Sequence, residues 1–180
     1  MPHIHTKPGQ IDVTVTLYLF RQSDLGVETM LHMHKKLGRL LPVGGHIEID
    51  ETPWQAAAHE LTEESGYEMT QIKVLQPTVR IKQLSDAVLH PQPIALNTHD
   101  VSGNHFHSDL SYALLVEGAP TSPLAAGESE DIRWLNQADL NQLGDDMIFS
   151  NTKTVGNYVM DNFATWEQVP ASEFSLEKEV

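Results

Sequence analysis

Residues 44–67 read GGHIEIDETPWQAAAHELTEESGY, and this stretch decides how the whole chain is interpreted. Three carboxylates, Glu60, Glu63 and Glu64, crowd together shortly before Gly66. Carboxylates three or four residues apart repel one another on a helix. The negative end of the helix dipole adds to that repulsion in the last turns. The three side chains therefore either form a solvated acidic face or surround a cation.

The same stretch carries the signals of a helix that begins after Thr52 and ends at Gly66. Thr52 and Gln55 have the spacing of a capping box, and Pro53 suits the first helical position. The alanines at 56–58 favour helix, and glycine is common where a helix terminates. These local signals predict a helix between the two caps.

The carboxylates share one side of this predicted helix. Successive residues are rotated by about 100°, so Glu63 and Glu64 lie within roughly 60° of Glu60 around the axis. Trp54 and Leu61 fall on a separate face, roughly 120° away, which we expect to be buried. Mg²⁺ and Mn²⁺ prefer oxygen ligands, so a divalent cation would remove the conflict between the converging charges.

The spacing of the stretch resembles the Nudix box, whose pattern is G, five residues, E, seven residues, then R-E-U-x-E-E-x-G-U, with U a bulky apolar residue. Gly45 and Glu51 occupy the first two fixed positions, and residues 59–67 supply the rest. His59 stands where the pattern has arginine, and Tyr67 is a mild variant of the final apolar position. At ordinary composition, a chance match of the other positions has a probability of about 10⁻⁸ per start point.

The resemblance implies a fold of the α/β (α+β) class, with a mixed sheet between helices in an α/β/α sandwich. It implies a hydrolase that cleaves a pyrophosphate bond in a nucleoside diphosphate linked to another moiety, with Mg²⁺ or Mn²⁺ as cofactor. Glu60, Glu63 and Glu64 would bind the metal, the Gly45 carbonyl would be a further ligand, and Glu51 would be a supporting acid. A non-catalytic domain that senses a nucleotide is the alternative, and a homodimer is compatible with the resemblance.

The acid that would take the proton of the attacking water is open in the sequence. Glu64 is one candidate, because a carboxylate that the metal does not saturate can act as a base. Glu128, Glu130 and Asp131, in a later loop, are alternatives, although such a run is also typical of a solvated loop.

His59 is the departure from the pattern. Arginine is planar and permanently charged and holds carboxylates through two hydrogen bonds at once, whereas histidine has a shorter reach and is mostly neutral at pH 7. We therefore expect weaker or more pH-sensitive positioning of the glutamates. This substitution also keeps the sensing alternative open.

Two further groups are candidate substrate-binding residues. Arg39 ends a small basic segment, residues 32–39, that could contact phosphates or simply be surface. His105, His107 and Asp109 alternate and therefore share one face of a strand. That face could be a second metal site, a phosphate contact or only a polar strand end, since one strand rarely supplies a converging ligand set. Glu128 and Glu130 are assigned to the substrate pocket as well.

Composition narrows the class of protein. The length of 180 residues suits one domain, assigned to 1–170, with 171–180 as a flexible acidic tail. A formal charge of -14 would repel a nucleic-acid duplex, but a bound metal can still admit a small phosphorylated substrate. Cysteine is absent, which excludes disulfides and thiolate sites. Without a secretory leader or an apolar run of about 18 residues, we expect a cytoplasmic protein without membrane contact.

The rest of the chain reads as strands interleaved with a few helices. Residues 1–10 read as a loose lead-in, and residues 85–104 as a long loop without a clear element. The other assignments are strands at 11–20, 27–36 and 105–118, short strands within 37–49 and at 132–135, one or two strands at 71–84 interrupted by Pro77, a short helix at 136–143 and an amphipathic helix through 155–166.

Overall fold

The computed structural model describes residues 7–102 and 104–179 and contains, in that part of the chain, nine strands and three α-helices. The strands are β1 (Ile11–Ser23), β2 (Gly26–His34), β3 (Arg39–Leu41), β4 (Val43–His46), β5 (Ile72–Gln76), β6 (Ala95–Ser102), β7 (His105–Val116), β8 (Ile132–Asn136) and β9 (Glu167–Pro170). The helices are α1 (Pro53–Ser65), α2 (Gln137–Gln142) and α3 (Ser150–Asn162). Residues 1–6 of the predicted lead-in lie outside the described residues.

The strands form one mixed sheet, as the sequence predicts. The main path runs β3-β2-β1-β7-β5-β9, with β4 paired to β1, β6 to β7 and β8 to β2. The long central strands β1 and β7 are parallel, and the other pairs are antiparallel. Connections through α1 and the following segments allow the parallel pairing, since parallel strands need a crossover.

Strand β1 shows how the two faces of the sheet are covered. Val15, Leu17 and Leu19 pack in one apolar cluster with Trp54 of α1, whereas Tyr18 and Phe20 pack in a second cluster that contains Val159 and Phe163 of the α3 region. Successive side chains of a strand point to opposite faces. The alternating apolar residues therefore place α1 on one face and α3 on the other, which confirms the α/β/α arrangement.

In the middle of the chain one loop assignment is wrong in part, and of the one or two strands predicted at 71–84 only the first is formed. Residues 85–104 are not a loop throughout, because 95–102 form β6 and pair with β7. In the described part of the sheet β6 pairs only with β7, and Leu96 on this strand is exposed. A strand at the edge of the sheet buries little surface, so its sequence has few apolar residues to signal it. Conversely, the strand β5 ends at Gln76, and 78–84 form no strand. Pro77 has no N–H to donate to a ladder, so it terminates the pairing.

The segment predicted as a flexible tail contacts the domain over part of its length. Ala171 is buried, the rings of Phe174 and Trp54 pack edge to face with centroids 6.0 Å apart, and the Gln55 side-chain amide donates to the Leu176 carbonyl at 2.8 Å. The domain boundary at residue 170 stays a prediction. Across residues 7–102 and 104–179, helices with the length and apolar character needed to span a membrane do not occur.

Candidate active site

Helix α1 begins and ends where the local signals place it. Thr52 accepts a hydrogen bond from the Gln55 amide at 3.2 Å, and the Gln55 side chain accepts one from the Thr52 amide at 2.9 Å. Gly66 closes the helix with φ +71°, a left-handed conformation that suits glycine. A Cβ at Gly66 would lie 2.4 Å from the Ser122 carbonyl oxygen, so close packing also demands glycine there.

Two of the box carboxylates point into the protein. Glu60 is 4% exposed, and among the described residues its buried Oε1 has no hydrogen-bond partner. Glu64 Oε2 accepts a hydrogen bond from the Gly44 amide at 2.9 Å and lies 3.5 Å from Nε2 of His32. A buried oxygen without a donor costs free energy. A divalent cation with oxygen ligands would satisfy it, so these residues fit the metal that the resemblance implies.

Burial of these carboxylates changes their protonation. Burial raises the pKa of Glu60 to about 7, against the opposing effect of His59. Burial likewise raises the pKa of Glu64 to about 8; the Gly44 amide opposes this rise, and the charges of Glu60 and Glu128 add to it. Carboxylates with pKa values this high bind protons near neutral pH unless a cation takes the place of those protons.

The loop between β7 and β8 brings a fourth carboxylate to the group. The Ala125 amide donates to the Glu63 carbonyl at 2.9 Å, and the amides of 121 and 122 donate to the Gly66 carbonyl at 3.1 and 3.0 Å. These bonds dock the loop on the carboxyl end of α1. The negative charge of Glu128 then lies close enough to Glu64 to raise the pKa of that carboxyl further. We call Glu60, Glu63, Glu64 and Glu128 the carboxylate cluster.

His59 lies between two box glutamates in the position of the family arginine. Its Nε2 is 3.1 Å from Glu63 Oε1, and its Nδ1 is 3.4 Å from Glu51 Oε1. Burial disfavours the charged imidazole, but the hydrogen bond to Glu63 and the charges of Glu63, Glu51 and Glu60 outweigh it and raise the pKa of His59. The imidazole therefore makes both contacts, although it is a shorter and only partly charged donor.

The remaining predicted residues are placed differently. Arg39 lies over the ring of Phe149, with Cζ 4.3 Å from the ring centroid. Glu130 is exposed, and Asp131 pairs with Arg133 at 2.8 Å. Of the loop acids, only Glu128 is therefore in contact with the box carboxylates. A substrate contact by Arg39 or Glu130 stays a prediction.

His105 and His107 are also away from the carboxylates. They share a face of β7 with Ala113 and Leu115, which pack in the cluster that contains α3 residues, whereas α1 packs on the other face. The structure therefore does not bring these histidines together with Glu60 and its neighbours.

Two contributors to the site are not apparent from the box pattern alone. His32 faces Glu64 from β2, and burial lowers the pKa of this histidine. Gly44 supplies the amide that binds Glu64, and a Cβ at this position would lie 2.2 Å from the Val15 carbonyl oxygen. The paired glycines at 44 and 45 are the only signal for this close approach, since glycine lets two backbones come together.

A cavity of about 680 Å³ lies elsewhere, between the segment 76–93 on one side and β9 with the chain that follows it on the other. Its lining includes Arg80, Leu89 and Phe174 but none of the predicted site residues. The long connection between β5 and β6 therefore shapes a pocket of its own and not the carboxylate cluster.

Comparison with known proteins agrees with the fold and the box. The sequence profile of the NUDIX domain matches residues 12–152. A Nudix-family hydrolase from Clostridium perfringens is 27% identical and superposes with a TM-score of 0.68 over 84% of this chain and 97% of that one. No curated protein sequence matches significantly. Because the profile covers most of the chain, the protein belongs to the Nudix family, and the superposed structures share its fold.

Other solved structures share the fold at lower identity. The Ap4A hydrolase of C. elegans, in a binary complex, is 16% identical with a TM-score of 0.65 over 85% of this chain and 98% of its own. The NUDIX domain of Shewanella oneidensis NrtR, complexed with ADP ribose, is 17% identical with a TM-score of 0.60 over 86% of this chain and 89% of its own.

Proposed function

We propose that the protein is a metal-dependent hydrolase that cleaves a pyrophosphate bond in a nucleoside diphosphate linked to another moiety, by attack of water at phosphorus. The observation that carries this proposal is that the docked loop brings the charge of Glu128 next to Glu60 and Glu64, where one buried Glu60 oxygen has no donor among the described residues. Such a group needs cations or protons, and a hydrolase of phosphoanhydrides uses the cations.

The box residues would hold Mg²⁺ or Mn²⁺ through Glu60, Glu63 and Glu64, with the Gly45 carbonyl as a further ligand. When bound, the metal neutralises phosphate oxygens and lowers the pKa of water. The chain's own contribution is positioning: the Gly44 amide orients Glu64, and His59 orients Glu63 and Glu51. Fixed oxygen ligands of this kind lower the cost of gathering charge at phosphorus.

Glu128 is the best-supported general base of the four candidates. Glu64 is engaged by the Gly44 amide, Asp131 is paired with Arg133, and Glu130 is exposed. Glu128 faces Glu64, and the Lys35 ammonium donates to the carbonyls of 127 and 128 at 2.6 and 2.9 Å, which holds this part of the loop. A base must lie within hydrogen-bond reach of the attacking water, and Glu128 approaches the metal ligands from a separate segment.

The substrate is a small nucleotide derivative, and the relatives suggest which ones to assay. Similar folds occur in an Ap4A hydrolase, in a domain that binds ADP ribose and in the dihydroneopterin triphosphate pyrophosphohydrolase of E. coli. A panel should therefore contain ADP-ribose, a dinucleoside polyphosphate, a nucleotide sugar and an oxidised nucleoside triphosphate, each with Mg²⁺ or Mn²⁺.

The test compares the wild type with Glu63→Gln, Glu64→Gln and Glu128→Gln on that panel. We expect turnover of at least one substrate and large losses of kcat in the three variants. Glu117→Gln is the matched control, because Glu117 is an exposed glutamate paired with Lys73 and should leave kcat unchanged. If the wild type cleaved nothing but bound a nucleotide tightly, the alternative of a non-catalytic sensing domain would replace this proposal.

A further inference from the structure

A second group of metal-binding side chains gathers on the face of the sheet opposite α1. Its members are Asp12 of β1, His46 of β4, and His105 and His107 of β7, which we call the histidine cluster. One ligand atom each from Asp12, His105 and His107 lies within 4.8 Å of the others. His46 joins them through Asp12 and His107. Strand register brings these side chains together, because β1 pairs with both β4 and β7 and Asp12 lies opposite His107.

The spacing of the ligand atoms agrees with four-coordinate metal binding. Nε2 of His46 is 3.2 Å from Nε2 of His107 and 3.6 Å from Oδ2 of Asp12, and Nε2 of His105 is 3.3 Å from the same Asp12 oxygen. Ligands bound at about 2.05 Å to a tetrahedral Zn²⁺ lie about 3.3 Å from one another. Three edges of the expected tetrahedron are therefore already present.

The protonation of the imidazoles points the same way. Two protonated ring nitrogens cannot both donate across the 3.2 Å between His46 and His107, so at least one of them presents a lone pair to its neighbour. The Asp12 side chain is fully buried, and those of His46 and His105 are about nine-tenths buried. A buried carboxylate among inward-facing imidazole nitrogens is a donor set for a transition metal.

Asp109 does not belong to this set, although it alternates with His105 and His107 in the sequence. The hydroxyls of Thr14 and Thr16 donate to its Oδ1 at 2.9 and 2.7 Å, and the Ser111 hydroxyl donates to its Oδ2 at 2.8 Å. Three hydroxyl donors hold this carboxylate as a structural group. Asp12 and His46, from neighbouring strands, take the places that one strand could not fill.

We propose that Asp12, His46, His105 and His107 bind one divalent transition-metal ion of the Zn²⁺ class, at a site separate from the carboxylate cluster. Imidazole nitrogens suit Zn²⁺, whereas the all-oxygen carboxylate cluster suits Mg²⁺ or Mn²⁺. The ion would link β1, β4 and β7 at one end of the sheet. Because Gly45 of the Nudix box precedes His46, occupancy would also hold β4 beside the active site.

Metal binding by the purified 180-residue chain tests the proposal. After removal of metals with a chelator, Zn²⁺ would be added in competition with a chromophoric chelator, with Mg²⁺ in excess to occupy oxygen ligands. We expect one tight equivalent of Zn²⁺, and expect Co²⁺ at the same site to give the intense visible absorption of a tetrahedral complex. Absence of a tight equivalent would overturn the proposal.

Variants show which residues bind the tight equivalent of Zn²⁺. Asp12→Asn and His107→Ala should each weaken Zn²⁺ binding by at least about 100-fold. His90→Ala, in the β5–β6 connection, is the matched histidine control and should bind as the wild type does. Glu63→Gln combined with Glu64→Gln should also keep the tight equivalent. Its loss in that double variant would assign the ion to the carboxylates and overturn the proposal, whether or not the protein hydrolyses nucleotides.

X-ray absorption of the zinc-loaded wild type covers the case in which a variant fails to fold. We expect a first shell of nitrogen and oxygen at about 2.0 Å, with the outer-shell scattering of imidazole rings. A shell of oxygen alone would show that zinc binds carboxylates, and the histidine cluster would then not be a metal site.

Discussion

The carboxylate cluster and the histidine cluster lie on opposite faces of one sheet, and they are built in different ways. Three of the four carboxylates come from α1, within five residues of each other, and only Glu128 arrives from elsewhere. The histidine cluster draws on three strands and joins positions 12 and 107. The first set offers oxygen only, while the second offers imidazole nitrogen around one carboxylate, so the two faces select different cations.

The two clusters also differ in how the charge of their buried carboxylates is compensated. Burial raises the pKa of Glu60 and of Glu64, and the negative charges of neighbouring glutamates add to this rise. Asp12 is buried as well, but it faces imidazoles, which can carry positive charge or bind a metal. A like-charged group depends on an added cation far more than a mixed group does.

The largest expected effect is a loss of kcat when the carboxylate cluster is altered, while metal binding by the histidine cluster on the other face is kept. Glu64→Gln keeps the shape of the side chain but removes a charge beside the Gly44 amide. We expect kcat to fall by about 100-fold or more, because a metal-binding carboxylate is lost. Steady-state kinetics at saturating Mg²⁺ measures it. The comparison breaks if the variant also loses tight Zn²⁺ binding, which we assign to the other face.

The second effect is on the way the free energy of unfolding depends on pH. In the metal-free protein the folded-state pKa values of Glu60 and Glu64, about 7 and about 8, exceed the ordinary 4.5. At pH values between the ordinary pKa of 4.5 and the folded-state pKa values, the folded state therefore binds more protons than the unfolded state. The free energy of unfolding therefore falls by several kcal/mol as pH rises from about 4.5 to about 8, because each pKa unit corresponds to about 1.4 kcal/mol.

Urea unfolding with a chelator, at about pH 6 and about pH 9, measures this slope. Added Mg²⁺ or Mn²⁺ should restore stability at the higher pH, since the metal replaces the protons. Glu60→Gln combined with Glu64→Gln is the control and should flatten the dependence. A metal-free wild type that is equally stable at both pH values would show that the carboxylates are not strained by burial.

The third effect concerns Gly44, in the strand that the two faces share. Gly44→Ala places a Cβ against the Val15 carbonyl oxygen and displaces the amide that binds Glu64. We expect a loss of about 1–3 kcal/mol in the free energy of unfolding, together with lower kcat. Gly26→Ala is the control, because Gly26 has a positive φ but open space around it. Equal losses in the two variants would mean that only backbone strain matters at Gly44.

The smallest effect is at the departure from the box pattern. His59→Arg replaces a partly charged bridge between Glu51 and Glu63 with a permanent one. We expect kcat to be preserved or to rise by about two- to five-fold, and its pH dependence to weaken, because arginine stays charged. A pH–rate profile of the variant against the wild type checks this. A large loss of kcat would show that His59 has a role that arginine cannot perform.

The sequence by itself determined what depends on neighbours along the chain. The capping box at Thr52, the left-handed Gly66 and the shared stripe of Glu60 and Glu64 follow from helix geometry and the chemistry of helix ends, so they were predicted correctly. The strand at 11–20 was also predicted correctly, because its β-branched and aromatic residues favour strand.

Only the tertiary structure decided which distant residues meet. Glu128 reaches Glu64 because its loop is hydrogen-bonded to the end of α1, and no local pattern distinguishes it from Glu130. Asp12 and His46 complete the histidine cluster because of strand register, whereas the neighbouring Asp109 is satisfied by hydroxyls. Register and loop docking are set by the burial of the whole sheet, and that information is not contained in the spacing of any one segment.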